Sequence, residues 1–108
     1  MSEPINATIS PWMPEQDRIR LAVLGKLAEE CNELGARAAR CIIQGIDEAD
    51  PASNRSNRAE LAREIADVIA CTEVAIEVLT LDVSDRRIQD KMRGFYRWHT
   101  MIETGEGR

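Results

Sequence analysis

The sequence predicts an all-α fold, an antiparallel helical bundle of about three main helices that is completed by oligomerisation. Apolar residues recur at steps of three and four along most of the chain, the period of helices with one buried face. No segment shows the two-residue alternation of a half-buried strand. Aromatic residues make up only 4% of the 108 residues. The core is therefore aliphatic and small, and burial against a second copy would complete it.

The charge balance limits the partners that the chain can bind. A formal net charge of −5 argues against binding to a nucleic acid polymer, which usually needs a basic surplus. A single nucleotide stays compatible, because a metal ion can supply positive charge locally. No apolar run reaches the roughly 18 residues of a membrane span. With no signal pattern at the N-terminus and three cysteines that fit reduced thiols, we expect a cytoplasmic protein without membrane contact.

We expect one domain with short flanks. Residues 1–14 contain three prolines and no periodicity, which predicts an irregular lead-in. Residues 15–104 form a single helical domain, and residues 105–108 form a frayed tail. The first helix is predicted over residues 15–44, because Pro14 followed by acidic residues suits a first helical turn and Gly45 suits a C-terminal stop. A break near Gly25 is one expectation for this helix.

Two further helices follow a polar connection. The second is predicted from about residue 58 to 81, with Asn57 as N-cap and Glu60 completing a capping box. The third is predicted from about residue 85 to 102, after capping residues around Ser84. Its apolar positions, which we expect to face inward, are Ile88, Met92 and Phe95, with Met101 as a further candidate.

Two pairs of acidic residues border the apolar stripes of the first two helices. Glu30 and Glu33 lie three residues apart on the first helix, and Glu64 and Asp67 have the same spacing on the second. This spacing places each pair on one helix face. If the stripes pack antiparallel, the four carboxylates meet at the edge of the core and repel one another. Protonation, nearby basic residues or a hard divalent cation would each offset that repulsion.

The simpler alternative is a solvated helix flank whose acids make ordinary surface ion pairs. Basic residues stand four positions from three of the acids, the spacing of helical ion pairs. The pairs expected on this alternative are Lys26 with Glu30, Arg37 with Glu33, and Arg63 with Asp67.

The segment KLAEECNEL followed by LAREIADVIA resembles the EExxE and ExxD motifs of the MazG-like, all-α NTP pyrophosphohydrolases. The resemblance extends from about Lys26 to Trp98. It implies Mg²⁺-dependent hydrolysis of an NTP or dNTP to the monophosphate and pyrophosphate, with Mn²⁺ as a substitute cation. A role in cleaning the nucleotide pool would follow.

The resemblance also implies roles for individual acids. Glu30 and Glu33 match the first motif and Glu64 and Asp67 match the second, so these four would hold the metal. Glu29 matches the leading glutamate and would assist catalysis. Glu30 is the carboxylate that would position or deprotonate the attacking water.

Three basic residues are candidates for binding the substrate phosphates. Arg37 and Arg40 continue the helix face that carries Glu30 and Glu33, and Lys91 follows from the family match. Uncovered apolar faces predict a homodimer or homotetramer, in which a neighbour could bring basic residues into the site. Two other functions remain open: a phosphoribosyl-ATP pyrophosphohydrolase-like enzyme, and a catalytically weak helical interaction module that keeps the fold.

Overall fold

The computed structural model describes residues 12–105 and places three helices there: α1 (Arg18–Gln44), α2 (Asn57–Leu79) and α3 (Asp85–Thr104). No residue in this range belongs to a strand, and the connection between α1 and α2 has one isolated bridge, Ala49 to Ser56. The all-α class is confirmed. Residues 1–11 of the predicted lead-in and 106–108 of the predicted tail lie outside the described residues.

Helix α1 begins later than the sequence suggested. Asp17 is the N-cap, because its Oδ1 accepts hydrogen bonds from the backbone N–H groups of Ile19 and Arg20 at 3.0 and 2.9 Å. A start at residue 15 is therefore wrong: the Asp17 carboxylate satisfies the first free amides of the helix. The helix runs without interruption through Gly25. It ends at Gln44, and its C-cap is Gly45, whose φ of 98° favours glycine.

The cap of α2 also corrects the expectation. Ser56, and not Asn57, is the N-cap, and its Oγ accepts from the backbone N–H of Ala59 at 3.1 Å. The Asn57 side chain is fully buried and bonds elsewhere, so it cannot cap the helix. Helix α2 ends at Leu79, and its C-cap Thr80 has a left-handed φ of 53°. The predicted cap of α3 is confirmed, since Ser84 Oγ accepts from Arg87 N–H at 3.1 Å.

Helices α1 and α2 form an antiparallel hairpin. Residues early in α1 share a groove with residues late in α2, and residues late in α1 share a pocket with early ones. Less exposed side chains recur at three- and four-residue steps on both helices, as in coiled-coil packing. We call these positions the α1–α2 seam: Val23, Leu27, Glu30, Leu34, Arg37 and Cys41 on α1, and Asn57, Glu60, Leu61, Glu64, Val68, Cys71, Ala75 and Leu79 on α2.

The composition of the seam changes along its length. The end away from the connecting loop is apolar, and it contains Ala75, the only buried hydrophobic side chain among residues 12–105. The end near the loop is interrupted by charged and amide side chains. Such groups are costly to bury unless each has a partner. The loop end of the hairpin is therefore the place to look for a functional site.

Helix α3 stands apart from the hairpin. Within residues 12–105, no Cα atom of α3 comes within 8 Å of α1 or α2. The predicted inward side chains Ile88, Met92 and Phe95 are instead exposed, by 44%, 44% and 52%. The radius of gyration is 19.4 Å, against about 13 Å for a compact domain of this size. Over the described residues a single chain therefore does not close the bundle, because neither α1 nor α2 reaches the apolar face of α3.

Among the described residues, no helix combines the length and the apolarity that crossing a membrane requires.

Candidate metal centre

Three carboxylates from two helices converge on the hairpin. One oxygen each of Glu30, Glu33 and Glu64 lies within 4.8 Å of the other two. Glu30 and Glu64 occupy seam positions, so the packing of α1 on α2 fixes where their side chains can go. Glu33 is one helical turn further along α1 and is exposed. We call these three residues the acid cluster.

Two oxygens of the acid cluster are buried without a partner. The Oε2 atoms of Glu30 and Glu64 are shielded from solvent and accept no hydrogen bond from the described part of the chain. An unpaired buried polar group is costly, and more so when it is charged. The cluster is therefore chemically incomplete, since each of the two helices contributes a carboxylate with an unsatisfied acceptor.

The ion pairs of the solvated-flank alternative do not form between the residues that the structure describes. Lys26 Nζ lies 3.3 Å from Glu29 Oε2, one residue before the expected partner. Arg37 Nη1 lies 2.8 Å from Asp50 Oδ2 instead of near Glu33. Across residues 12–105, no basic nitrogen comes within 4.0 Å of a carboxylate oxygen of the acid cluster or of Asp67.

The electrostatics of Glu30 follow from this placement. Burial raises the pKa of the Glu30 carboxyl above its usual range, and the charges of Glu33 and Asp67 raise that pKa further. Lys26 acts in the opposite direction, with a smaller effect than these three. Glu30 thus holds its proton more tightly than an exposed glutamate would, unless a positive charge is supplied nearby.

The donor set matches a hard divalent cation. All three converging ligand atoms are carboxylate oxygens, the ligand type that Mg²⁺ and Mn²⁺ prefer. A cation among them would satisfy the two buried Oε2 atoms and offset the repulsion between the carboxylates. On both counts the residues present fit such an ion.

The other two predicted acids lie beside the cluster. Asp67 does not join the group of three, but it lines the same groove as Glu30 and its charge acts on Glu30. Glu29 points to the surface, where Lys26 pairs with it and where its side chain is 54% exposed. The two helices therefore gather three of the four predicted metal ligands and keep Asp67 adjacent to them.

The two arginines predicted to bind phosphate have different surroundings. Both line a pocket of about 340 Å³ whose wall also includes Glu33 and Glu64. Arg37 is largely buried and bonded, since its Nη1 also donates to Asn57 Oδ1 at 3.0 Å. Arg40 is half exposed and lies 3.4 Å from Asp50 Oδ2. Arg40 thus has the freer guanidinium beside the acid cluster.

Arg37 is the centre of a buried polar network that the sequence did not reveal. Asp50 and Glu60 are buried, and both lie within 4.0 Å of its guanidinium. The hydrogen bond from Arg37 lowers the pKa of Asp50, and the close hydrogen bond from Arg55 lowers the pKa of Glu60. The network joins the connecting loop to both helices next to the acid cluster.

Lys91 is not brought to the acid cluster within one chain. It lies on α3, which is separate from the hairpin, and its Nζ stands 5.3 Å from the centre of the Phe95 ring.

Comparison of the chain with protein-family models, with curated proteins and with solved structures finds no match.

Proposed function

We propose that this protein is a Mg²⁺-dependent nucleoside triphosphate pyrophosphohydrolase of the MazG-like kind, which converts an NTP or dNTP to the monophosphate and pyrophosphate. One observation carries the proposal. Carboxylates from two neighbouring helices, Glu30 and Glu64, meet within 4.8 Å with Glu33 beside them, and each of the first two has a buried oxygen without a partner among the described residues. A helical hairpin gains nothing in stability from this arrangement without a ligand, whereas a cation site requires it.

The acid cluster supplies the seat for the cation in this proposal. Glu30, Glu33 and Glu64 hold it, with Mg²⁺ as the natural ion and Mn²⁺ as a substitute, and Asp67 lies close enough to act with them. When bound, the cation neutralises charge on the triphosphate and favours ionisation of the attacking water.

Glu30 is the carboxylate best suited to accept a proton from that water. Glu30 belongs to the cluster that would hold the cation, so its carboxylate would lie beside a water bound there, which suits general-base catalysis. Glu29 forms an ion pair with Lys26 at the surface, and this is the role by which it assists the reaction. Attack on the α-phosphorus then releases pyrophosphate as the leaving group.

The basic residues divide into two roles. Arg40 contacts the phosphates of the substrate, because it is half exposed in the pocket beside Glu33 and Glu64. Arg37 is a positioning residue, since its donors are already engaged by Asp50 and Asn57. Lys91 contributes from a second copy, because α3 is too far from the hairpin of its own chain.

A homodimer or homotetramer is part of the proposal. The apolar side of α3 is exposed, as are Val74 and Val78 on α2. Burial of these faces against another copy would complete the small core and bring a neighbouring α3 towards the acid cluster.

The test is a pyrophosphate-release screen over ribo- and deoxyribonucleoside triphosphates, with Mg²⁺ and with Mn²⁺. Phosphoribosyl-ATP belongs in the panel, because its hydrolysis would indicate the histidine-synthesis type of enzyme. We expect release from at least one nucleotide, loss of release in Glu33→Gln, and no loss in Glu73→Gln, an exposed acid elsewhere on α2. Silence across the panel would contradict the proposal and favour a helical interaction module.

A further inference from the structure

Arg37 and Glu33 have the spacing of a helical ion pair but do not form one. Arg37 stands four residues after Glu33 on α1, the order and spacing that favour attraction between an acidic and a basic side chain. Both residues line the pocket of about 340 Å³ beside the acid cluster. The Arg37 guanidinium is bonded to Asp50 instead, whose Oδ2 accepts from Nη1 at 2.8 Å. The acid cluster therefore stays free of a basic partner because Arg37 has another one.

Asp50 is held in place by bonds within its own loop. Its backbone N–H donates to the Arg55 carbonyl at 2.7 Å, and its carbonyl accepts from the Asn54 N–H at 2.7 Å. Its Oδ1 accepts from the Ala52 N–H at 2.8 Å. None of these bonds involves Arg37. The connecting loop therefore fixes the position of the buried Asp50 carboxylate, and Arg37 reaches across from α1 to meet it.

The acid cluster is the alternative partner of Arg37. The hydrogen bond to Asp50 has the largest effect on the pKa of Arg37, which it raises, and the charges of Glu60 and Glu64 raise that pKa as well. Glu60 is already engaged by Arg55. Glu64 belongs to the acid cluster and has a buried oxygen without a partner among the described residues. A guanidinium released from Asp50 would therefore be drawn towards the cluster.

We infer that Asp50 is a positioning residue for the metal centre, because it holds Arg37 away from the acid cluster and so keeps the cluster open to a divalent cation. The inference rests on the metal centre of the proposed function and adds the residue that keeps this centre free. A guanidinium among the carboxylates would supply the positive charge that a cation otherwise supplies. Arg37 and the cation would then compete for the same oxygens.

The experiment is calorimetric titration of Mn²⁺ into the full chain without nucleotide. Asn is the replacement at position 50, because it keeps the size of Asp and an oxygen for the Ala52 N–H. We expect Asp50→Asn to raise the dissociation constant of Mn²⁺ about tenfold, as when the cluster is free of Arg37 in about one molecule in ten. Addition of Arg37→Gln to that variant should restore the affinity to within about twofold of the wild type, because Gln has no charge to compete with the cation.

Two single variants serve as controls, and all titrations are made below the lowest melting temperature of the set. Arg37→Gln alone should change Mn²⁺ affinity by less than about twofold, because Asp50 already holds that guanidinium away in the wild type. Asp47→Asn removes a carboxylate of the same loop that pairs with Arg58. It should also change the affinity by less than about twofold, since the loss of an exposed charge is screened.

The rescue separates the proposed role from a merely structural one. Weak binding in Asp50→Asn that Arg37→Gln does not restore would show that Asp50 supports the cluster only through the loop, and would overturn the inference. Unchanged affinity in Asp50→Asn, equal weakening by Asp47→Asn, or the same effect of Arg37→Gln in both backgrounds would overturn it too. So would an Asp50→Asn chain that does not fold, because the released guanidinium would then have found no partner in the cluster. If the wild type binds no Mn²⁺, the proposed function itself fails and the inference fails with it.

Discussion

Glu30 on α1 and Glu64 on α2 each keep one buried carboxylate oxygen, Oε2, that no hydrogen-bond donor of residues 12–105 reaches, and their carboxylates lie within 4.8 Å of each other. Like charges at this distance oppose the packing of α1 on α2. The metal-free hairpin is therefore weakened where the proposed chemistry takes place, and a cation would stabilise it by binding only the folded chain.

The first prediction concerns the pH dependence of the metal-free protein. The folded-state pKa of Glu30 is raised, so the folded state retains a proton that the unfolded state releases. The contribution of Glu30 to stability is thus present below about pH 4.3, the ordinary glutamate value, and is lost as pH rises through the raised pKa. Glu30→Gln should therefore increase the melting temperature in a chelator at pH 7, by a margin that shrinks towards pH 4.

Glu73→Gln is the control for that measurement, because Glu73 is exposed on the same hairpin and lies outside the acid cluster. It should leave the melting temperature nearly unchanged across the pH range. A lower melting temperature for Glu30→Gln than for the wild type at pH 7 would show that the Glu30 carboxylate stabilises the metal-free fold, against this account.

A second prediction addresses the buried amide of Asn57. Its side chain accepts from Arg37 Nη1 at 3.0 Å and donates to Gln44 Oε1 at 3.2 Å and to the Gly45 carbonyl at 3.0 Å. Asn57→Ala removes these three buried hydrogen bonds and should lower the free energy of unfolding by about 3 kcal/mol in urea denaturation. Asn32→Ala, at an exposed position of α1, should have almost no effect, and equal losses from both variants would be inconsistent with the network.

A third prediction separates the two arginines. Arg37→Gln removes the donor that holds Asp50 and Asn57, so the main result should be a lower melting temperature and faster proteolysis within residues 45–56. Arg40→Gln should keep the melting temperature and raise KM for the triphosphate about tenfold, the value of one charge-assisted contact. If Arg40→Gln unfolds the protein and Arg37→Gln affects only KM, the roles assigned to the two residues are reversed.

The exposed side of α3 leads to a fourth prediction. Phe95 is 52% exposed on the apolar side of this helix, whereas Arg97 lies on its charged side. Phe95→Gln should shift the sedimentation coefficient towards the monomer and reduce pyrophosphate release, because α3 of a neighbour would no longer be held in place. Arg97→Gln should preserve the oligomer. A wild-type protein that sediments as a monomer at micromolar concentration would contradict the proposed assembly.

The sequence predicts the helices well because each one has both a periodic apolar pattern and residues that favour helix ends. The Gly45 stop and the Ser84 cap are confirmed. The start of α1 and the cap of α2 differ from expectation by a few residues, because Asp17 and Ser56 have neighbours that also suit a cap. Local sequence preference does not decide between such neighbouring cap candidates when the side chain of one of them forms tertiary hydrogen bonds. Asn57 is an example, because its side chain bonds to Arg37 and Gln44.

The position of Glu30 in the core was partly readable. Glu30 and Arg37 continue the three- and four-residue steps of Val23, Leu27 and Leu34, which indicates seam positions and not a flank. The partners of Arg37 were not readable, because Asp50 lies in the connecting loop and its approach depends on the loop path. The separation of α3 from the hairpin could not be predicted from the sequence either. An amphipathic pattern shows that one helix face favours burial, but it does not show which element buries that face.

The most direct test of the central claim is calorimetric titration of Mn²⁺ into the purified protein without nucleotide, alongside Glu64→Gln and Glu73→Gln. The account predicts saturable binding to the wild type and to Glu73→Gln, and binding weakened by at least about tenfold in Glu64→Gln, which loses one carboxylate of the acid cluster. Equal Mn²⁺ affinity in Glu64→Gln and the wild type, or no binding to the wild type at millimolar Mn²⁺, would contradict the metal centre on which the proposed activity depends.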